Sequence, residues 1–89
     1  MRAIRESSRF RRDLRRMQRR GKDLFKLYDI VETLARGEEV NARHRPHPLI
    51  GTWRPFWDCH IEPDWLLIYR VQEAFVELYR TGSHADLFE

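Results

Sequence analysis

The stretch Asp58-Cys59-His60-Ile61-Glu62-Pro63-Asp64-Trp65-Leu66-Leu67-Ile68-Tyr69 decides how the rest of the chain is arranged. Asp58 to Ile61 alternates polar and apolar, the pattern of a half-buried strand. Trp65 to Val71 is aromatic and branched, the pattern of a second strand. Glu62-Pro63-Asp64-Trp65 lies between them, with Pro presetting φ at the second turn position and Asp tolerating the third. The spacing predicts a tight hairpin that brings an imidazole, a carboxylate and an indole to one tip of a sheet.

Upstream, Met1 to Glu6 has the length of an edge strand, and Ser7 and Ser8 are good helix N-caps. Phe10, Leu14 and Met17 then recur as one apolar stripe, and Gly21 ends that helix. A second helix runs from near Lys22 to about Arg36, with Leu24, Leu27, Tyr28, Val31, Leu34 and Ala35 as its stripe and Gly37 as its stop. The run from Glu38 to Gly51 is aperiodic and holds His44 and His47; loops that long in small domains are usually functional or disordered. Gly51-Thr52-Trp53 is read as leading into a strand toward Trp57 that Pro55 interrupts.

Downstream of the hairpin, Gln72-Glu73 reads as a second turn and Phe75 to Arg80 as the last strand. Pairing Val71 with Ala74 would set Arg80 opposite Trp65, and the first turn would set His60 opposite Leu67. A three-residue loop would flip the faces of the last strand. Under either parity Asp64, Trp65 and Arg80 share one end of the sheet, near His60, and the tail from Ser83 brings His84 back to it. The order β-α-α-β-β-β predicts a single α+β domain over residues 1–89: a small antiparallel sheet with an N-terminal helix pair packed on one face.

Composition narrows the function. Cys59 has no partner for an internal disulfide, which fits a reducing cytoplasm. No stretch approaches the roughly 20 apolar residues of a membrane span, and no apolar run follows the basic start as a signal peptide requires. The formal charge of +3 divides unevenly. Residues 1–22 carry nine Arg and one Lys against Glu6 and Asp13, or +8, while residues 23–89 carry seven cations against twelve carboxylates, or −5. A basic end that dense points to a polyanion or an acidic partner, and Arg11, Arg12, Arg15 and Arg16 are its candidate RNA contacts.

Metal-free RNA cleavage needs a base for the 2′-OH, a cation for the phosphate and an acid for the departing 5′-oxygen. Histidines suit the first and last tasks and arginine the second. His47, His60, Asp64, Arg80 and His84 supply the set, and Trp65 and Phe88 are suited to stacking on splayed bases. No cofactor is expected. The histidine spacings match no familiar metal-ligand pattern, so no metal site is assigned. Cys59, pointing away from His60, is not read as a nucleophile.

Three motifs carry a family resemblance: His47-Pro48-Leu49-x-Gly51-x-Trp53; Asp58-x-His60-x-Glu62-Pro63-Asp64-Trp65-x-Leu67-Ile68-Tyr69; and Arg80-Thr81-Gly82-Ser83-His84-x-x-Leu87-Phe88. In this order and spacing they resemble the YafQ branch of the RelE/ParE toxin superfamily. The resemblance implies a RelE-like fold and the toxin of a bacterial type II toxin–antitoxin module. It implies a ribosome-dependent endoribonuclease, an mRNA interferase that enters the A site of the 70S ribosome and cuts translated mRNA. A cognate antitoxin would neutralise it, and operator DNA would be met only through that complex. It further implies His84 as general acid or base, Arg80 as phosphate clamp, and Asp64 and His60 as orienting or proton-sharing groups. The alternatives are a non-nuclease toxin of the same superfamily acting on a target such as gyrase, and a basic DNA-binding protein.

Overall fold

The computed structural model describes residues 1–88. Its elements are β1 (Ala3–Glu6), α1 (Ser8–Arg19), α2 (Leu24–Ala35), β2 (His47–Pro48), β3 (Trp57–Glu62), β4 (Trp65–Val71), β5 (Phe75–Gly82) and α3 (His84–Phe88). Five strands form one sheet in the order β1-β5-β4-β3-β2. The helix boundaries follow their local chemistry. The Ser7 hydroxyl accepts the Phe10 N–H at 2.9 Å, and Asp23 caps α2 by accepting from Phe25 at 3.0 Å. Past each helix the chain turns at a glycine with positive φ, Gly21 at 82° and Gly37 at 77°.

β4 is the centre of the domain. Trp65, Leu67 and Tyr69 point into the core beneath α1 and α2, with Phe10, Met17, Leu27, Ile30, Val31, Cys59, Val76 and Leu78. Leu66 and Ile68 point the other way, against Leu87 and the partly buried Leu49, Trp53, Phe56 and Tyr79. A strand buried on both faces reads as a continuous apolar run, which is why β4 does not alternate. In α2, Ile30 takes the buried position expected for Tyr28, which is 39% exposed.

Four expectations are corrected. The sheet is not wholly antiparallel: β1 pairs parallel with β5, Ala3 opposite Phe75 and Glu6 opposite Leu78. β3, β4 and β5 alternate in direction through their two hairpins, and β5 comes back beside β1 running the same way. The segment before Trp57 is no strand; Gly51–Trp53 is a 3-10 turn that lays Trp53 and Phe56 under the second sheet face. The registers differ, and each hairpin contains a bulge. His60 pairs with Leu66 rather than Leu67, the shift absorbed at Ile61. Arg80 pairs with Ile68 rather than Trp65: Val71 pairs with Val76 rather than Ala74, which moves the register by two residues, and the bulge at Tyr79 adds one. Finally, the tail forms a helix rather than a loose return.

Two carboxylates fasten the ends of the fold together. Asp13 of α1, 2% exposed, accepts Arg80 Nε at 2.6 Å, Arg80 Nη2 at 3.1 Å, Arg16 Nη2 at 2.8 Å and the Thr81 N–H at 3.2 Å. Asp86 of α3 accepts Arg20 Nη1 at 2.6 Å, Arg20 Nη2 at 3.0 Å and Arg16 Nη1 at 3.3 Å. Asp86 also accepts the Ser83 N–H at 2.9 Å while its own N–H donates to Ser83 Oγ at 3.1 Å, a reciprocal cap on α3. A Cβ at position 82 would lie 2.9 Å from Asp86 Cβ, so Gly82 is what lets the two approach.

Removing the Asp86 carboxylate leaves the Arg20 guanidinium, Arg16 Nη1 and the Ser83 N–H without their acceptor. Asp86→Ala is expected to cost about 2 kcal/mol near neutral pH. The Arg20 bond holds the Asp86 carboxyl well below the usual carboxylate range. Its stabilisation is therefore complete above about pH 4 and fades as pH falls toward the folded value. Denaturant melts across pH check this: the gap between wild type and variant should narrow in acid. Trp65→Phe is expected to cost about 2 kcal/mol as well, by opening space and removing a buried hydrogen bond; a melt unchanged from wild type would contradict the packing described for Trp65.

Candidate active site

The β3–β4 turn, the end of β5 and the start of α3 meet at one corner of the sheet. His84, first residue of α3, reaches back to the turn. Its Nδ1 lies 2.7 Å from Asp64 Oδ1, and its backbone N–H donates to the same oxygen at 3.0 Å. These two bonds hold the exposed Asp64 carboxyl below its ordinary value. The His60 ring stands 5.6 Å from the His84 ring, centre to centre, and the Phe88 ring lies 6.3 Å from His84. Phe88 is 41% exposed and packs edge-on against Trp53 at 5.3 Å.

Hydrogen bonding fixes which ring nitrogens can work. His60 Nδ1 is 3.1 Å from the Pro63 carbonyl, which can only accept, so Nδ1 carries the proton and Nε2 is the available base. His84 Nδ1 donates to Asp64 by the same logic, leaving its Nε2 to exchange protons. Asp64 is placed to stabilise the imidazolium formed when that Nε2 is protonated.

His47 is bound differently. Its Nδ1 donates to the Arg45 carbonyl at 2.8 Å, and its Nε2 lies 3.0 Å from Asp58 Oδ1, its cross-strand partner. Burial pushes the Asp58 carboxyl up, against the lowering fields of His47, His60 and His84. The contact is off the hydrogen-bonding direction, and Asp58 Oδ1 has no aligned partner among the described residues. Asp58 is the member of this cluster that sequence reading left without a role; its only signal was a carboxylate two residues from His60, on the same face of the strand.

Other assignments need revision. Trp65 is 0% exposed, donating Nε1–H to Thr81 Oγ1 at 2.9 Å, while that hydroxyl donates to the Leu66 carbonyl at 2.7 Å. It cannot stack on a base; its rank among the largest core side chains explains why. Arg80 is not an open clamp, because Nε and Nη2 are bound to Asp13. Only Nη1 has no partner among the described residues. Arg16 is likewise spent on Asp13 and Asp86. Arg11, Arg12 and Arg15 are exposed and form no ion pair among the described residues, although Arg11 Nη1 donates to the Glu6 carbonyl at 2.9 Å. Cys59 is buried and its thiol is pushed up to about 12, which leaves it inert as a nucleophile. Among the described residues no helix is long and apolar enough to cross a membrane.

In sequence and fold the chain is similar to known toxins. The mRNA interferase toxin YafQ of Escherichia coli K12 is 38% identical over 88 residues, covering 98% of this chain and 96% of that protein. The toxin in the crystal structure of the E. coli DinJ–YafQ toxin–antitoxin complex superposes with a TM-score of 0.91 at 37% identity, covering 99% of this chain and 98% of that one. A metal-bound toxin from Helicobacter pylori superposes at 0.92 with 38% identity, covering 99% and 100%. In this chain no three His, Cys, Asp or Glu side chains among the described residues are arranged to hold a metal ion. Residues 2–89 match the family described as bacterial toxin of type II toxin–antitoxin system, YafQ, and the chain belongs to that family.

Proposed function

We propose that this protein is an mRNA interferase: a ribosome-dependent endoribonuclease, acting in the cytoplasm on translated mRNA and neutralised by a cognate antitoxin. The observation that carries the reading is the Asp64–His84 pair at 2.7 Å with the His60 ring beside it. A purely protein-binding surface has no need of two imidazoles with their Nδ1 atoms tied and their Nε2 atoms available.

Cleavage then follows from general chemistry. One imidazole Nε2 takes the 2′-OH proton as that oxygen attacks phosphorus. The other gives a proton to the departing 5′-oxygen, leaving a 2′,3′-cyclic phosphate. The charge that builds on the phosphate oxygens is met by the free edge of Arg80. Phe88, exposed beside His84, offers a ring for a splayed base. The exposed arginines of α1, above all Arg11, Arg12 and Arg15, provide phosphate-directed attraction without sequence reading, as ribosomal RNA would require. An acidic antitoxin segment would meet the same charges.

His84→Ala is the cleaner test. Its side chain is exposed, and substitutions at such positions usually change stability by about 0.5 kcal/mol or less. In a translating extract, mapping of mRNA 3′ ends is expected to show cuts that vanish without ribosomes and fall roughly 10²–10⁴-fold in this variant. Arg80→Ala should also abolish cutting, but it strips the buried Asp13 of a main partner at a cost of about 3–5 kcal/mol. It therefore needs Arg80→Lys and a melt alongside. Intact mRNA with folded wild-type protein would remove the nuclease reading and make gyrase inhibition the next assay.

A further inference from the structure

A cleft of about 620 Å³ opens beside the candidate site, between α2, residues 40–45 and the β3–β4 turn. It lies within the size range of small-ligand pockets. His60 belongs to both the cleft and the catalytic cluster. The two are also tied structurally, because His44 Nδ1 donates to the His60 carbonyl at 2.7 Å.

The cleft is graded in chemistry. Ile30, Val40 and Ile61 form an apolar floor, with Ile30 and Ile61 buried and Val40 half-buried. Arg43 and Arg45 stand exposed at the rim and form no ion pair among the described residues. The wall carboxylate Glu62 is compensated by Lys22 at 2.8 Å and Lys26 at 3.0 Å. It therefore does not repel an anion at the mouth. Inside, the exposed Asp29 can accept from a ring or amino N–H. Asn41 has its Oδ1 on the Arg43 N–H at 3.0 Å, which leaves its amide hydrogens to donate.

We infer that this cleft is a nucleotide subsite. It receives the RNA residue next to the scissile phosphate on the His60 side, base against the Ile30–Val40–Ile61 floor and phosphate at Arg43 and Arg45. This rests on the nuclease reading above and adds to it a place where a base can be read. Unpaired cations at the rim, with donors and acceptors over an apolar floor, are the layout that suits a flipped-out nucleotide: anionic outside, flat and edge-polar inside. An acidic peptide fits less well, since its carboxylates would meet Asp29 inside the cleft.

The test uses Val40→Trp, which fills the cleft without touching the catalytic cluster, and the pair Arg43→Ala/Arg45→Ala. A non-cleavable 2′-O-methyl RNA trinucleotide titrated into wild-type protein is expected to shift the amide resonances of Val40, Asn41 and Ile61, and to lose affinity at least tenfold in Val40→Trp. The arginine pair should weaken binding and flatten its salt dependence. In the extract, Val40→Trp should redistribute cuts among sequence contexts and lower cutting through KM, while circular dichroism and Tm stay near wild type. Unchanged affinity and cut pattern in folded Val40→Trp would overturn the subsite. So would weakened antitoxin binding with unaltered cutting, which would assign the cleft to the protein partner. If the trinucleotide shifts the cleft resonances and the wild type cuts nothing, the subsite stands and the nuclease reading falls.

Discussion

The buried Asp13 carboxylate is the constraint on which the corner depends. It lies in the core layer beneath α1, where an unpaired charge is prohibitive. It is tolerable because two guanidiniums and a backbone N–H converge on it. Those donors come from β5 and from α1 itself, so satisfying one anion fixes the far end of β5 against the first helix. Arg16 carries the arrangement on to Asp86, and Asp86 with Ser83 sets where α3 begins. His84 is placed by this chain of charges as much as by its own bond to Asp64.

The same constraint explains the partial sequestration of Arg80. A guanidinium bound along one edge keeps its orientation and still offers donors along the other. Such an arginine is preorganised toward the corner, with little side-chain entropy left to lose when an anion arrives. His47 repeats the theme on one side: its Nδ1 donates to the Arg45 carbonyl, which fixes the ring.

Much of this could be read from residues alone, where the determinants are local. Ser7, Gly21 and Gly37 mark helix ends, and Glu62-Pro63-Asp64-Trp65 marks a turn whose outer residues do pair. The gathering of His60, Asp64 and His84 at one sheet end follows from that turn and from the length of β5. What could not be read depends on distant partners. The bulges at Ile61 and Tyr79 arise from packing on both faces of the sheet and leave no mark in alternation. Trp65 looks like a stacking residue until Thr81 is seen beneath it. Asp13 looks like one polar residue among arginines until β5 is laid beside it. The turn of residues 51–53 under the sheet reflects the need to cover Leu66 and Ile68, a need visible only once β4 is known to be central.

The parallel pairing of β1 with β5 bears on the order of events in folding. Ala3 finds its partner at Phe75, so the first strand waits for a sequence separation of roughly seventy residues to be closed. Contacts that distant form slowly, since loop closure must precede the pairing that rewards it. Asp13 waits equally for Arg80 and Thr81, and Asp64 for His84. The individual helices α1 and α2 and the β3–β4 hairpin can form early from neighbouring residues. The corner that bears the chemistry is completed only when β5 and α3 have docked, so its reactive groups come together at the end of folding rather than during it.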